Sequence, residues 1–471
     1  MKMNNKQKVT QLAIFAGATA FAALAPQAQS QSSDALIDKL VDKGILTANE
    51  AKDLRDEADK NFNTAFQAKT GMPDWVTGYK ISGDVRGRFE QFASDNPALD
   101  DRTRLRYRVR FGVAVNMLDN VEAGLRLGSG DVKAASGSGN QVATGNPLSN
   151  NSTMQDNGSK KMVYIDTAYG KWTPINAAGW QLSTTVGKMD NPFLFTPMVF
   201  DPDLTPEGAA LQGGYIINDI HSLAFNSGAF VLDEIGSSTH DPFLYGGQLV
   251  WNAKWNAKWS SSAGIGALAI VSPEQLTSPT STGNVPYVNQ GNTRLASGFY
   301  AGAPAYNFTP VIADASVTYT LDSFPFYNGT FPVKLGGEAM KNPGAPSNNN
   351  GYWVGVTFGK SGTKKTWDLS YRYEYLEADA WYDQMVDDDN GAYYVNPAPY
   401  GDSKSGYYGG TNLKGHFVKF TYSLTDSLSF STTCFINDLI NQNLTGKPAG
   451  SAVSEPQNSA VHFFADLMWK F

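Results

Sequence analysis

Residues 102–111, Arg-Thr-Arg-Leu-Arg-Tyr-Arg-Val-Arg-Phe, set five arginines at every second position, with Thr103, Leu105, Tyr107, Val109 and Phe111 between them. Only an extended strand sends alternate side chains to opposite faces, so all five guanidiniums share one side. A helix with this spacing would scatter the arginines around its circumference and keep no apolar stripe. The apolar set runs on through Val113, Val115 and Met117, opposite Gly112, Ala114 and Asn116. A soluble sheet can hold one such strand with its arginines in water. A transmembrane barrel strand is built the same way, apolar toward lipid and polar toward a wet lumen. The remaining strands decide between the two.

The same parity recurs at the far end of the chain. In 366–380, Trp367, Leu369, Tyr371, Tyr373 and Tyr375 oppose Asp368, Ser370, Arg372 and Glu374. In the last segment, Val461, Phe463, Ala465, Leu467, Trp469 and Phe471 oppose His462, Asp466 and Lys470. From Gly78 onward, sixteen candidate strands fall at 78–92, 102–117, 121–130, 161–172, 180–188, 208–218, 221–231, 243–255, 259–270, 310–321, 332–341, 352–360, 366–380, 414–423, 428–438 and 460–471. Mostly long loops alternate with short turns between them. That alternation is the mark of an outer-membrane barrel with an even strand number, short periplasmic turns and long external loops. The expectation is an all-β fold: a sixteen-stranded antiparallel transmembrane barrel over 76–471, with both mature termini in the periplasm. A terminal strand closing on an aromatic, here Phe471, is the signal read by the barrel-assembly machinery of Gram-negative outer membranes.

Lys2, Lys6 and Lys8 precede an apolar run from Leu12 to Ala25, then Ala28-Gln29-Ser30. This is the pattern of a secretory signal peptide over 1–30; the run is short of the roughly 20 residues a spanning helix needs. Residues 31–75 form a separate short segment with helical character at 34–68. Leu36, Ile37, Leu40 and Val41 lie at helical spacing, and Thr47-Ala48-Asn49-Glu50 is a capping box before Ala51, Leu54 and Ala58. A periplasmic appendage, a trimer-forming stalk and a pore plug are the readings open for it. The formal charge of −7 and the lack of a basic patch argue against nucleic acid as a partner. The single cysteine, Cys434, excludes an intrachain disulfide; its parity with Phe430 and Ile436 points it to lipid.

With the second strand running inward from the surface, Arg102 and Arg104 fall near the outer rim, and Arg106, Arg108 and Arg110 descend the lumen wall. The neighbouring strands add Asp84, Arg86, Arg88 and Glu90 on one side and Glu122 and Arg126 on the other. Lipid-facing arginine costs about 2–4 kcal/mol at the midplane, so these side chains are expected to line the pore. Residues 187–208 carry four prolines, which a regular ladder does not accept, along with Asp190, Asp201, Asp203 and Glu207. This stiff loop either folds inward as a constriction, setting its acids across the pore from the arginines, or packs outside on the rim.

These segments resemble the putative porins of Gram-negative outer membranes. The arginine-rich second strand, Gly187-Lys188-Met189-Asp190-Asn191-Pro192-Phe193, Asp201-Pro202-Asp203-Leu204 and Pro206-Glu207-Gly208 carry the resemblance. Trp367 to Ala380, Gly409-Gly410-Thr411-Asn412 and Gly415-His416 extend it over most of the mature chain. It implies a water-filled diffusion channel, is compatible with a homotrimer, and assigns neither a solute nor catalytic residues.

Other features point to bland roles. His221, His240, His416 and His462 lack ligand spacing, so no metal site or cofactor is expected. His416 and His462 can in principle meet Ser423 or Ser429 as in outer-membrane lipases, but an enzyme is not the expectation. Asp383 with Asp387-Asp388-Asp389 reads as a solvated loop tip rather than a Ca²⁺ loop, lacking the spaced ligands of an EF-hand. Trp251, Trp255 and Trp259 suit an interfacial girdle. The expected function is passive diffusion of small hydrophilic solutes, with weak anion preference, in contact with outer-membrane lipid and lipopolysaccharide. A channel specific for an anionic nutrient or a sugar is the alternative, and a receptor or adhesin ranks lower.

Overall fold

The computed structural model describes residues 73–94, 101–134, 143–177, 179–236, 238–277, 290–295, 298–392, 408–441 and 459–471, with Ala51 and Leu54. The signal-peptide segment lies outside the described residues. So does the 34–68 segment, apart from Ala51 and Leu54, which are helical.

Sixteen strands form the wall: β1 Val76–Ser94, β2 Arg102–Met117, β3 Val121–Gly130, β4 Met162–Ala177, β5 Trp180–Lys188, β6 Glu207–Ile216, β7 His221–Val231 and β8 Phe243–Lys254. The second half comprises β9 Trp259–Val271, β10 Val311–Leu321, β11 Phe331–Lys341, β12 Asn350–Gly359, β13 Trp367–Leu376, β14 Leu413–Ser423, β15 Leu428–Leu439 and β16 Ala460–Lys470. Each pairs antiparallel with its sequence neighbours. β1 then pairs with β16, from Asp84 opposite Lys470 to Ser94 opposite Ala460, and the sheet closes. Closure leaves no strand edge, as hydrocarbon surroundings require. The boundaries follow the sequence parity closely, with two differences. β4 runs on to Ala177 because a register shift between Trp172 and Ile175 absorbs Pro174. β13 ends at Leu376 rather than 380, because Ala378, Ala380 and Trp381 turn inward and bury.

Burial alternates as the pattern demands. In β2, Leu105, Val109 and Phe111 are exposed on the outside while Arg106 and Arg108 are buried inside. Trp75, Trp180, Trp255, Trp259 and Trp469 are all exposed at the short-turn end, where an aromatic girdle would meet the membrane–water interface. Cys434 is half-buried beside Ile436 and Ala465 on the outer face.

The apolar core lies inside the barrel. Phe230, Leu244, Leu268, Ile270, Ile312, Met340 and Leu376 line the inner wall at the long-loop ends of β7–β11 and β13. Met189, Phe193, Met198, Val199 and Phe200 from the 189–206 loop pack on them, as do Phe308, Trp381, Tyr382, Met385 and Val386 from other loops. The long-loop end of the lumen beside β7–β11 is thereby filled with apolar side chains, while its short-turn end keeps a polar void of about 580 Å³ beside Ser222, Asn252 and Lys334; the other half keeps the charged wall of β1–β3 and β13–β16.

The outward parity has a direct test. Leu125→Arg on the outer face of β3 is expected to destabilise the barrel by about 2–4 kcal/mol when refolded into lipid vesicles under a denaturant gradient. Native Arg126, the next residue, is carried without that cost because it faces the lumen.

Candidate functional site

Register alone would make the arginine wall unstable. Arg86 sits opposite Arg108 and Arg88 opposite Arg106 in the β1–β2 ladder, and like charges directly opposite destabilise a sheet. Carboxylates on the same inner face resolve this. Asp84 accepts from Arg108 at 2.9 Å and Arg110 at 2.7 Å. Asp466 of β16 takes the Arg88 guanidinium at 2.7 and 3.0 Å. Glu90, wholly buried, pairs with Arg104 and with His462 Nε2 at 3.0 Å, and Arg106 lies 3.8 Å away. Arg126 bonds Asp166, while Glu122 accepts from the Tyr169 hydroxyl at 2.7 Å rather than from an arginine.

The 189–206 loop folds into the barrel, and the wall holds it there. Gln248 Oε1 accepts from Leu194 N at 2.8 Å, and Gln212 Nε2 donates to Pro192 O at 3.3 Å. Glu338 of β11 accepts from Thr196 N at 3.2 Å and from its hydroxyl, to which Trp353 Nε1 also donates at 3.0 Å. The four loop acids have different fates. Asp190 meets Arg126 at 2.6 Å, and Asp203 meets Arg108 at 3.1 Å and Arg110 at 3.4 Å. Glu207 stays exposed and pairs with Lys188 at 3.0 Å. Asp201 turns away from the arginines toward a second loop.

That second loop corrects the sequence reading of Asp383 and Asp387–Asp389 as a solvated tip. The 377–392 stretch folds inward, Asp383 is fully buried against Arg294 at 2.6 Å, and Asp389 reaches Arg88 at 2.9 Å. The aromatic run supplies the cause: Trp381 and Tyr382 bury in the lumen core and take the acids with them. Trp381 Nε1 donates to Val199 O at 2.9 Å, Asp201 N to Met385 O at 2.7 Å and Asp387 N to Pro197 O at 3.1 Å. The two loops thus form one body.

Their junction gathers Asp201, Asp387 and Asp388, with carboxylate oxygens within 4.8 Å of one another. Burial, then the charge of Asp389, pushes the Asp387 carboxyl up to about 7. Burial and the neighbouring acids also raise Asp201 and Asp388. Partial burial pushes Asp389 up as well, yet Arg88 holds it below the usual carboxylate range. Across from the junction stand Arg86, Arg88, Arg108, Arg372 and Lys419, around a void of about 230 Å³. The site is a narrow passage with cations on the barrel wall and carboxylates mostly on the loops.

Of the acids that face the void, Asp466 shows its inner parity in the sequence. The 387–389 run shows only as a cluster, because its direction depends on where Trp381 packs. Among the histidines, His416 meets the Tyr371 hydroxyl at 2.9 Å on the outer face, and His462 meets Glu90 and the Asp389 carbonyl. Neither reaches Ser423 or Ser429 in a hydrogen bond.

A closed sixteen-stranded barrel with an apolar exterior and a charged lumen is the architecture of outer-membrane porins. Residues 94–270 match the family described as "Putative porin". No curated protein matches the sequence. Among solved structures, the chain is similar to OprB of Pseudomonas putida at 10% identity and a TM-score of 0.49, over 84% of this chain and 94% of that one. It is also similar to a loop-deletion mutant of OmpT from Vibrio cholerae at 10% identity and a TM-score of 0.42, over 84% and 99%. A double mutant of the Rh. blastica porin follows at 10% identity and a TM-score of 0.38, over 83% and 100%.

Two outcomes are expected from this geometry. Glu338→Ala removes the anchor of Thr196, a charge-assisted contact worth about 1.5–3 kcal/mol; single-channel records should show larger, noisier open steps than wild type. Asp387, raised from 3.8 to about 7, is neutral in the folded protein below that pH and charged above it. Raising pH through 7 therefore adds negative charge beside Asp201, Asp388, Asp389 and Glu374, which Arg372 offsets only in part. Reversal potentials under a salt gradient should move toward cations as pH rises through about 7, and Asp387→Asn should flatten that dependence.

Proposed function

We propose that the protein is a diffusion channel for small hydrophilic solutes, narrowed to an eccentric passage beside the arginine wall. The observation that carries this is the placement of two loops inside a closed barrel, their carboxylates facing Arg86, Arg88 and Arg108 around a void. Barrels of this strand number leave an aqueous lumen unless it is filled; here the filling is confined to the long-loop end beside β7–β11. Asp84, Arg86, Arg88, Glu90, Arg106, Arg108, Arg110, Glu122 and Arg126 are the proposed lining, with Asp190, Asp201 and Asp203 as constriction acids. Because most arginines are already paired, the expected anion preference is weak and strongest at acidic pH.

In this reading, 1–30 is an export signal, 31–75 a periplasmic helical segment and 76–471 the barrel, with both mature termini periplasmic. The terminal strand ending at Phe471 would engage the barrel-assembly machinery, and the girdled exterior would sit in outer-membrane lipid and lipopolysaccharide. A homotrimer is the proposed assembly.

Single-channel conductance in a planar bilayer tests the proposal. Stable open steps are expected, and replacing Arg106, Arg108 and Arg110 together with glutamine should shift the reversal potential toward cations. Silence from heat-modifiable, correctly folded barrel would overturn the channel; an unchanged ion ratio in the triple variant would remove the arginine wall as its selectivity element.

A further inference from the structure

The 322–330 turn, at the short-turn end between β10 and β11, carries a ring that folding does not explain. Tyr327 N donates to Phe324 O at 3.2 Å, with Pro325 second in the turn and Phe326 third at a φ of 58°. A β-turn with positive φ at that position takes glycine or asparagine, since a bulky side chain is strained there. Packing gives nothing back, because Phe326 is 95% exposed. Its neighbours differ: Phe324 stacks on Phe331 at 4.1 Å, and Tyr327 meets Phe331 and Trp367 edge-on. Trp367 Nε1 donates to Phe326 O at 3.2 Å, so the strained residue is held against aromatics on the lipid-facing parity of β11 and β13. Lysines flank the same turn. Asn328 donates to Lys365 O at 3.1 Å and Lys364 O at 3.4 Å, and the Tyr327 hydroxyl donates to Lys360 O at 2.8 Å. Lys365 also stands at positive φ, 67°, and all three lysines are exposed. Of the acids on these turns, Asp322 pairs with Lys258 at 2.6 Å and Asp426 accepts from Lys364 N at 2.8 Å.

We propose that this surface docks an anionic phospholipid of the leaflet at the short-turn end. Lys360, Lys364 and Lys365 take the phosphodiester, and the Phe326 ring enters among the upper acyl segments. Strained backbone persists where its surroundings fix it, and here the fixing bonds display a ring among cations, next to the lipid-facing wall. Aromatics and lysines at a membrane edge meet an interface that is apolar on one side and charged on the other. A zwitterionic headgroup brings an ammonium that the lysines repel, and a soluble anion leaves Phe326 in water. The inference rests on the barrel's residence in a membrane, not on its conducting.

Native mass spectrometry of the intact barrel tests this, with phosphatidylglycerol and phosphatidylcholine of the same acyl chains titrated in turn. Heat-modifiable mobility checks that each variant is folded. Phosphatidylglycerol is expected to be retained at lower concentration than phosphatidylcholine. Replacing Lys360, Lys364 and Lys365 with glutamine should abolish that difference, each lysine contributing about fivefold. Phe326→Gly should weaken both lipids while leaving the barrel at least as stable to denaturant, because glycine is unstrained at that φ. Glycerol phosphate in excess should not displace the lipid. Equal retention of the two lipids, or a preference that survives the triple lysine variant, would overturn the site. Displacement by glycerol phosphate would reduce it to a soluble-anion site, and capture of polyglutamate in place of lipid would hand it to an acidic polymer; either outcome removes the lipid. A Phe326→Gly barrel that loses stability and keeps its lipid would return the ring to a structural role and strike it from the site.

Discussion

The ladder between β1 and β16 is the contact on which everything else rests. Without it the sheet has two edges, each exposing backbone amides and carbonyls that hydrocarbon cannot satisfy. With it, the chain acquires an inside and an outside, and every strand's parity gains a meaning. The same ladder sets Arg88 opposite Asp466, so the seam that closes the barrel also supplies the counter-charge that makes the arginine wall tolerable. Closure and neutralisation are one act, made by residues nearly four hundred positions apart.

Inside, the protein uses its hydrophobic residues against the usual expectation for a lumen. Phe230, Leu244, Ile312 and Met340 point inward, where a water-filled bore would penalise them. Phe193, Met198, Phe200 and Trp381 repay that by covering them. Around the margin, Arg294 and Asp383, almost fully buried, tie a third loop to the second; breaking such a pair strands a charge and costs about 3–5 kcal/mol. The loops are therefore structural parts of the barrel rather than flaps over it.

The wall was legible in the sequence and the filling was not, for a physical reason. Strand parity and the alternation of long and short connections are local properties, visible wherever a face meets lipid. The arginines of β2 could be assigned to the lumen because lipid excludes them. Loop direction is a tertiary outcome. The prolines of 192–206 announce stiffness, but that Asp201 turns from the arginines depends on its own N–H reaching Met385 O and on Trp381 reaching Val199 O across the lumen. Likewise Asp387–Asp389 look like a solvated run until Trp381 is known to be buried beneath Phe200 and Phe308.

The apolar filling and the charged wall are then physically linked. Two unit charges 4 Å apart interact by about 1 kcal/mol in bulk water and about 4 kcal/mol at the effective dielectric near a protein surface. The difference is available only if the charges are held, since free side chains relax toward water. Packing anchors the loop carboxylates through Val199, Trp381 and Met385, and the ladder anchors the guanidiniums through the strands. Pairing across the wall, Arg86 and Arg88 with Asp466 and Arg372 with Glu374, fixes that geometry. The arrangement of charge along the passage is therefore set by the fold rather than by whatever passes through it.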